Sequence, residues 1–209
     1  MARTGTRDRI LEASLRLFND EGLASVSAHR IAAELEMSPG NLHYHFKTKH
    51  QIVEWLFRRF EDRLSAYSGA AEGVGALDDF WLTLHLAFEA IGEYRFIFRD
   101  IDYLLGEHPV LEARARAITD RSLQATKRLC VGLVESGMIE ASDEEIDMLA
   151  LQIVFTMTCW FSFARLTPQH DPRHGQPGLA AYYTLTLLSP YLIGEARDYL
   201  NYLRVKYLR

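Results

Sequence analysis

Residues 27–49 read SAHRIAAELEMSPGNLHYHFKTK. Apolar side chains at Ile31, Ala32 and Leu35 recur with helical spacing, stop at the polar turn that follows, and resume at Leu42 and Phe46. Ser27 and Ser38 each stand where a helix needs an N-cap. Pro39 follows Ser38 at the first helical position, where a missing N–H costs nothing. The stretch therefore reads as two short helices, 28–35 and 39–45, joined by the turn Glu36-Met37-Ser38. Leu42 and Phe46 pin the second helix inward and leave Asn41, His43, Tyr44 and His45 for the surface. A helix edge carrying hydroxyls, an amide and cations has the chemistry to enter the DNA major groove and hold the flanking phosphates.

Working outward, Ile10, Leu11, Leu15, Leu17 and Phe18 give a preceding amphipathic helix, stopped by Gly22. Downstream, Ile52, Val53, Leu56, Phe57 and Phe60 mark a longer helix over 49–68. The run SGAAEGVGA at 68–76 should interrupt it. Further helical stretches fall near 77–92, 94–105, 110–135, 144–166 and 179–207, with spacers at 106–109, 136–143 and 167–177. Ser189-Pro190 should kink or break the last of them. There is no β-alternation of useful length, no repeat and no low-complexity tract. The expected fold is all-α: a three-helix helix-turn-helix domain over 1–48 and a larger helical domain over 49–209.

The bulk numbers allow a small DNA footprint and argue against a general polyanion binder. The 209 residues carry a formal charge of −5, with 48% hydrophobic residues as ample core material. Residues 1–63 hold 10 Lys and Arg against 9 Asp and Glu, whereas the remainder holds 13 against 19, so any basic surface is local. Cys130 and Cys159 stand alone in apolar helical sequence, which suits free thiols. The start MARTGTRDR has no apolar signal core, and no uninterrupted apolar run reads as long enough to span a bilayer. These features lead to the expectation of a cytoplasmic protein with no membrane partner.

The detailed string SAHRIAAELEMSPGNLHYHFKTKHQIV, preceded by a helix ending Phe18-Asn19-Asp20-Glu21-Gly22, closely resembles the N-terminal domain of the TetR family of bacterial transcriptional regulators. The likeness covers roughly residues 7–57. It implies that Ser27 and His29 meet backbone phosphates at the start of the supporting helix. It makes Ser38, Pro39, Gly40 and Asn41 the leading edge of the recognition helix, with Gly40 allowing close approach and Asn41 reading a base edge or bonding a phosphate. His43 and Tyr44 fall at positions that are usually aromatic and phosphate-binding. His45 and Lys47 follow, and Lys49 completes the contact from the start of the next helix. Two residues depart from the pattern. Glu36 stands where the turn often has Gly, at a cost of roughly 1 kcal/mol if the residue is left-handed. His43 replaces the usual Tyr, and an imidazole there would strengthen its phosphate contact as pH falls.

The histidine cluster does not suit a metal. His43 and His45 are two apart on a helix, their side chains diverge by about 200°, and no nearby carboxylate or thiol completes a ligand set. No cofactor is expected. The resemblance implies a pocket for a small, largely apolar effector among the later helices. From the aromatics there, Trp81, Phe88, Phe98, Tyr103, Phe155 and Cys159 are expected to line it, with His85 and Arg99 as polar anchors. It also implies a homodimer on the last two long helices. Ile146, Leu149, Ala150, Ile153, Val154 and Met157 form one candidate stripe, and Tyr182, Tyr183, Leu185, Thr186, Leu188 and Ser189 the other; the alternative is that both are buried within one chain. Leu200, Leu203 and Tyr207 of the tail should pack onto the body. Glu107-His108 and Asp100-x-Asp102 read as surface or capping groups.

The expected function is ligand-responsive transcriptional regulation at a pseudo-palindromic double-stranded DNA operator, as a repressor. An enzyme is the rival from another class, and no nucleophile elbow, phosphate loop, HExxH or paired-carboxylate pattern supports it. An effector-independent architectural module is the second rival.

Overall fold

The computed structural model describes residues 5–68, 76–167 and 176–208, and it is all-α. In chain order the helices are α1 (Thr6–Glu21), α2 (Ala28–Glu34), α3 (Pro39–His45), α4 (Lys49–Ser68), α5 (Leu77–Glu93), α6 (Phe96–Arg99), α7 (Ile101–Glu107), α8 (Pro109–Glu135), α9 (Asp143–Ala164), α10 (Pro177–Leu185) and α11 (Glu195–Leu208). The expected break at 68–76 and spacer at 167–177 lie mostly outside the described residues. Among those described, extended pairing is limited to one antiparallel bridge, Ile139 to Leu192. The single helix expected over 94–105 is two short ones. The last long stretch breaks as its proline requires: α10 gives way to a 3₁₀ turn, Thr186–Leu188, and the chain restarts as α11.

Local signals explain most of these ends. Gly22 closes α1 at φ 95°, a conformation that favours glycine. Ser27 Oγ accepts the Arg30 N–H at 3.1 Å, and Ser38 Oγ accepts the Asn41 N–H at 3.2 Å. At α9 Ser142 and Glu145 form a reciprocal capping box. Two helices end in the same Schellman arrangement. At α8, Met138 N–H reaches Leu133 O and Gly137 N–H reaches Val134 O, with Gly137 at φ 71°. At α2, Met37 N–H reaches Ala32 O and Glu36 N–H reaches Ala33 O, with Glu36 at φ 52°. Glu36 thus occupies the left-handed position that glycine takes elsewhere in this chain.

The chain divides into two compact units, Met1–Asp62 with Tyr94–Ala115, and Arg63–Glu93 with Arg116–Arg209. The first is centred on buried Phe18, Phe57, Phe60 and Phe96, with Ile31, Leu42 and Phe46 fixing α2 and α3. In the second, α5, α9 and α10 enclose Phe80, Phe88, Leu133, Ile153 and Leu185. Cys130 belongs to that core, and burial pushes its thiol up to about 12, which makes it inert. Leu203 is buried there too, with Leu200 and Tyr207 packed against it.

Helix α9 corrects one expectation. By length and composition it is apolar enough to cross a membrane, although Gln152, Thr156, Thr158 and Ser162 interrupt its apolar run. Ile146, Leu149, Ala150, Ile153 and Val154, expected to cross a two-fold, are instead buried within the chain, as are Tyr182, Leu185 and Leu188. Its exposed face carries a second apolar stripe, Met148, Leu151, Phe155 and Phe163, each more than half exposed. A helix apolar on both faces satisfies a hydropathy test without being lipid-embedded.

The turn geometry gives a stability test. Glu36→Gly is expected to raise unfolding stability by about 1 kcal/mol in urea denaturation, because it relieves a left-handed β-carbon. No gain, or a loss, would mean that Glu36 is not strained.

Candidate nucleic-acid interface

Buried Leu42 and Phe46 fix α3 against the first unit, so its other side is presented outward. Ser27, His29, Ser38, Pro39, Gly40, Asn41, His43 and Lys47 are all exposed, and Tyr44 is 77% exposed. His45 is half-buried, with Tyr44 edge-on to its ring at 5.3 Å. His29, Pro39, Gly40, His43 and Lys47 line one cleft of about 340 Å³ between the starts of α2 and α4 and the side of α3. Both capping serines use Oγ as an acceptor, which leaves each O–H proton to donate outward. A β-carbon at Gly40 would meet nothing closer than Ser38 Oγ at 4.0 Å. The fold therefore has no steric need of glycine at this position.

The charges around this edge are partitioned. Arg30 is held by Glu21 at 2.7 Å and Glu34 at 3.0 Å; these bonds, Glu21 first, raise its guanidinium above the ordinary value. It consequently does not shield Glu36, whose carboxylate has no ion pair among the described residues. The ammonium of Lys47 is likewise without an ion pair among them. Sequence reasoning missed how α4 starts: Thr48 Oγ1 accepts the Gln51 N–H at 3.3 Å, and Gln51 Oε1 accepts the Lys47 N–H at 2.9 Å. The Thr-x-x-Gln spacing was the available signal. It also missed Arg7, whose guanidinium lies 4.8 Å over Phe46 and 4.7 Å over Trp55, with Arg58 5.2 Å over the same indole. Only the fold brings the start of α1 against the end of α3.

Lys49 departs from expectation. Its Nζ turns inward and donates to the Leu23 carbonyl at 2.6 Å, with the Phe18 and Tyr103 rings each 5.9 Å away. Burial lowers its pKa, against the pull of Glu107. The carbonyls just beyond the end of α1 are at a negative helix terminus, and they capture this ammonium. A phosphate contact from Lys49 would require exchanging that bond.

His108 is also not a surface group. It is 4% exposed, with its ring 4.3 Å from that of His50. Burial first, then His50, push its imidazole down to about 4, with Glu107 opposing. No described group of three or more His, Cys, Asp or Glu could hold a metal.

The residues expected at an effector pocket fall in both units. Phe98, Arg99 and Tyr103 belong to the first unit, and Trp81, His85, Phe88, Phe155 and Cys159 to the second. Arg99 is not a free anchor: it donates to Asn19 O at 2.8 Å and Phe18 O at 2.6 Å and pairs with Asp100 at 2.9 Å. Two carbonyls of the last turn of α1 take it, Phe18 O being shared with the Gly22 N–H. Phe98 packs edge-on to Phe60 at 5.5 Å. Phe155 lies on the exposed face of α9, Cys159 is half-buried, Tyr103 is partly exposed, and Phe88 is wholly buried against Trp160 and Phe161. Trp81 and His85 do come together, their rings stacked at 5.1 Å and 22°.

Comparison with known proteins gives a consistent result. A family model described as bacterial transcriptional repressor matches residues 59–200, and one described as bacterial regulatory proteins of the tetR family matches residues 10–56. A crystal structure of a TetR-family transcriptional regulator from Marinobacter aquaeolei VT8 is 35% identical over 97% of this chain and 98% of its own, with a TM-score of 0.87. The HTH-type transcriptional repressor KstR2 of Mycolicibacterium smegmatis is 25% identical over 158 residues, 68% of this chain and 71% of its own length. The fold also matches that of SmeT, a Stenotrophomonas maltophilia repressor solved in complex with triclosan, with a TM-score of 0.61 at 19% identity over 91% of this chain and 93% of that one.

His108 sets a pH dependence of stability. Its folded value of about 4 lies below the ordinary 6.5, so between the two the unfolded chain takes up a proton that the folded chain refuses. Stability is full above about pH 6.5 and falls by roughly 2–3 kcal/mol as pH drops to 4. Urea midpoints across that range should show this loss in the native chain and a shallower one in His108→Gln. Equal slopes would contradict the assignment.

Proposed function

The chain belongs to the TetR family of bacterial regulatory proteins, DNA-binding transcriptional regulators with a ligand-binding C-terminal domain, and from that premise we propose that it is a dimeric, effector-responsive repressor whose α3 edge reads a pseudo-palindromic operator. The observation that carries the reading is the exposed edge of α3, with a glycine the fold does not need at its leading position. In this reading the head is residues 1–48 and the effector and dimer domain 49–209. Asn41 and the backbone at Gly40 meet base edges. Ser27, His29, Ser38, Pro39, His43, Tyr44, His45 and Lys47 hold the phosphates on either side, and Lys49 joins them if its bond to Leu23 is exchanged. The protein acts in the cytoplasm by binding, with no enzymatic step, metal or cofactor.

The dimer follows from the second apolar stripe of α9. Met148, Leu151 and Phe155, with Phe163 two turns further on, form an exposed apolar face, and a second copy of the same face is the partner that gives a palindrome two reading heads. The effector is small and largely apolar; the triclosan complex of SmeT shows a small ligand held on this fold. It releases DNA only through different affinities for the two spacings of the heads. Helix α4, continuous from the reading edge to Ser68, is the lever that transmits the change.

Two measurements test these assignments on a duplex selected by the protein from a random library. Lys47→Ala should flatten the log–log salt dependence of binding by about 0.9 for each protomer. Asn41→Ala should cost about 1–3 kcal/mol against the selected sequence and little against random DNA. Unchanged binding in both would overturn the reading edge. For the dimer, Phe155→Glu should sediment as a folded monomer and lose operator affinity by roughly a hundredfold. A variant that stays dimeric would move the interface elsewhere.

A further inference from the structure

Two buried polar atoms in the second unit have no hydrogen-bond partner among the described residues: the indole Nε1 of Trp81 and the Nδ1 of His85. They are one turn apart on α5, on rings that stack at 5.1 Å. A buried polar atom left unpaired costs free energy, and a stacked pair of such atoms is a defect in a well-packed bundle unless something fills it. The chemistry of the two atoms differs. Indole Nε1–H only donates. His85 Nε2 lies 3.4 Å from Glu89 Oε1, so the proton of the neutral ring is assigned to Nε2, on the side of that carboxylate, and Nδ1 is assigned as the lone-pair acceptor. The site therefore asks for one group that accepts from Trp81 and donates to His85.

Few groups do both. A ketone or ether accepts only, and would face the Nδ1 lone pair with another. A carboxylate adds a charge to the same mismatch, and an ammonium leaves the indole unsatisfied. A hydroxyl satisfies both. The surroundings are largely apolar: Phe80, Leu84 and Phe88 are buried on the same helix and Tyr207 lies 6.0 Å from Trp81, with the Lys206 ammonium 5.5 Å over the indole. Tyr207 is seated closely on α10, where a β-carbon at Gly178 would come within 2.8 Å of its ring. Resting on the reading of this domain as the effector domain, we infer that Trp81 and His85 are the polar end of the effector site and that the effector is an apolar alcohol or phenol.

The test uses the full-length dimer and an isosteric pair, 2-naphthol and 2-methylnaphthalene, with affinities measured by calorimetry. The hydroxyl compound should bind about tenfold more tightly. Trp81→Phe and His85→Phe, which keep an aromatic ring at each position, should each bring the two compounds to within about twofold, and Trp55→Phe should leave the preference intact. If one variant fails to fold, the other still reads the result. Equal affinities in the native protein, a preference that survives in both variants, or no binding of either compound, as when a fixed water holds the site, would overturn the inference. Operator binding measured with the same compounds separates this from the regulatory reading. A preference without release of DNA keeps the site and removes its coupling; release by both compounds equally removes the hydroxyl site and keeps the coupling.

Discussion

The reading head is held in place by polar contacts around the end of α1. The last carbonyls of a helix have no partner within it, and when they are buried something must supply donors. Here Arg99 does so, donating to Asn19 O and sharing Phe18 O with the Gly22 N–H, while paired with Asp100. Asp100 in turn accepts the Leu23 N–H at 2.8 Å, and Asn19 Oδ1 accepts the Phe96 N–H at 3.0 Å. The Leu23 carbonyl takes the ammonium of Lys49, so the start of α4 is tied to the same corner. Bonds of this charged, largely buried kind are worth about 1.5–3 kcal/mol each. They make residues 94–115 part of the same compact unit as the helix-turn-helix, although the bonded residues lie some 80 positions apart in the chain.

That attachment explains why the outer edge can be so lightly built. Helices α2 and α3 are seven residues each, too short to be stable alone. Their stability comes from Ile31, Leu42 and Phe46 sinking into a core that α1, α4 and α6 already define. With the core carrying the fold, the exposed positions are free to hold residues the fold does not favour: a glycine within a helix at Gly40 and a left-handed Glu36 in the turn. Local rules broken without structural return are where function is expected.

Much of this was legible in the sequence because its signals are local. The serine caps, Pro39 and Gly22 fix helix ends within a few residues, and the apolar spacing of α4 and α8 needs no tertiary knowledge. The likeness of residues 27–53 to the TetR family then gave the family and the expectation that α3 carries the reading edge. What could not be read were side chains whose destination is set by distant backbone. Arg99 and Lys49 look like free cations until the end of α1 is placed beside them, and His108 looks like a surface residue until α7 and α4 pack. Helix α9 failed for another reason: both of its faces are apolar, and periodicity shows that two stripes exist without saying which one the core takes.

The claim on which the rest depends is that residues 95–100 and the end of α1 open only together. Native-state amide hydrogen exchange tests it at single residues, because the Leu23 and Phe96 amides donate to side chains, Asp100 and Asn19, rather than to helix carbonyls. These two amides should share one opening free energy with Leu17 and Phe18 of α1, and all four should fall together in Arg99→Ala. Exchange at Leu23 and Phe96 that is independently fast, with α1 unaffected by the substitution, would contradict it.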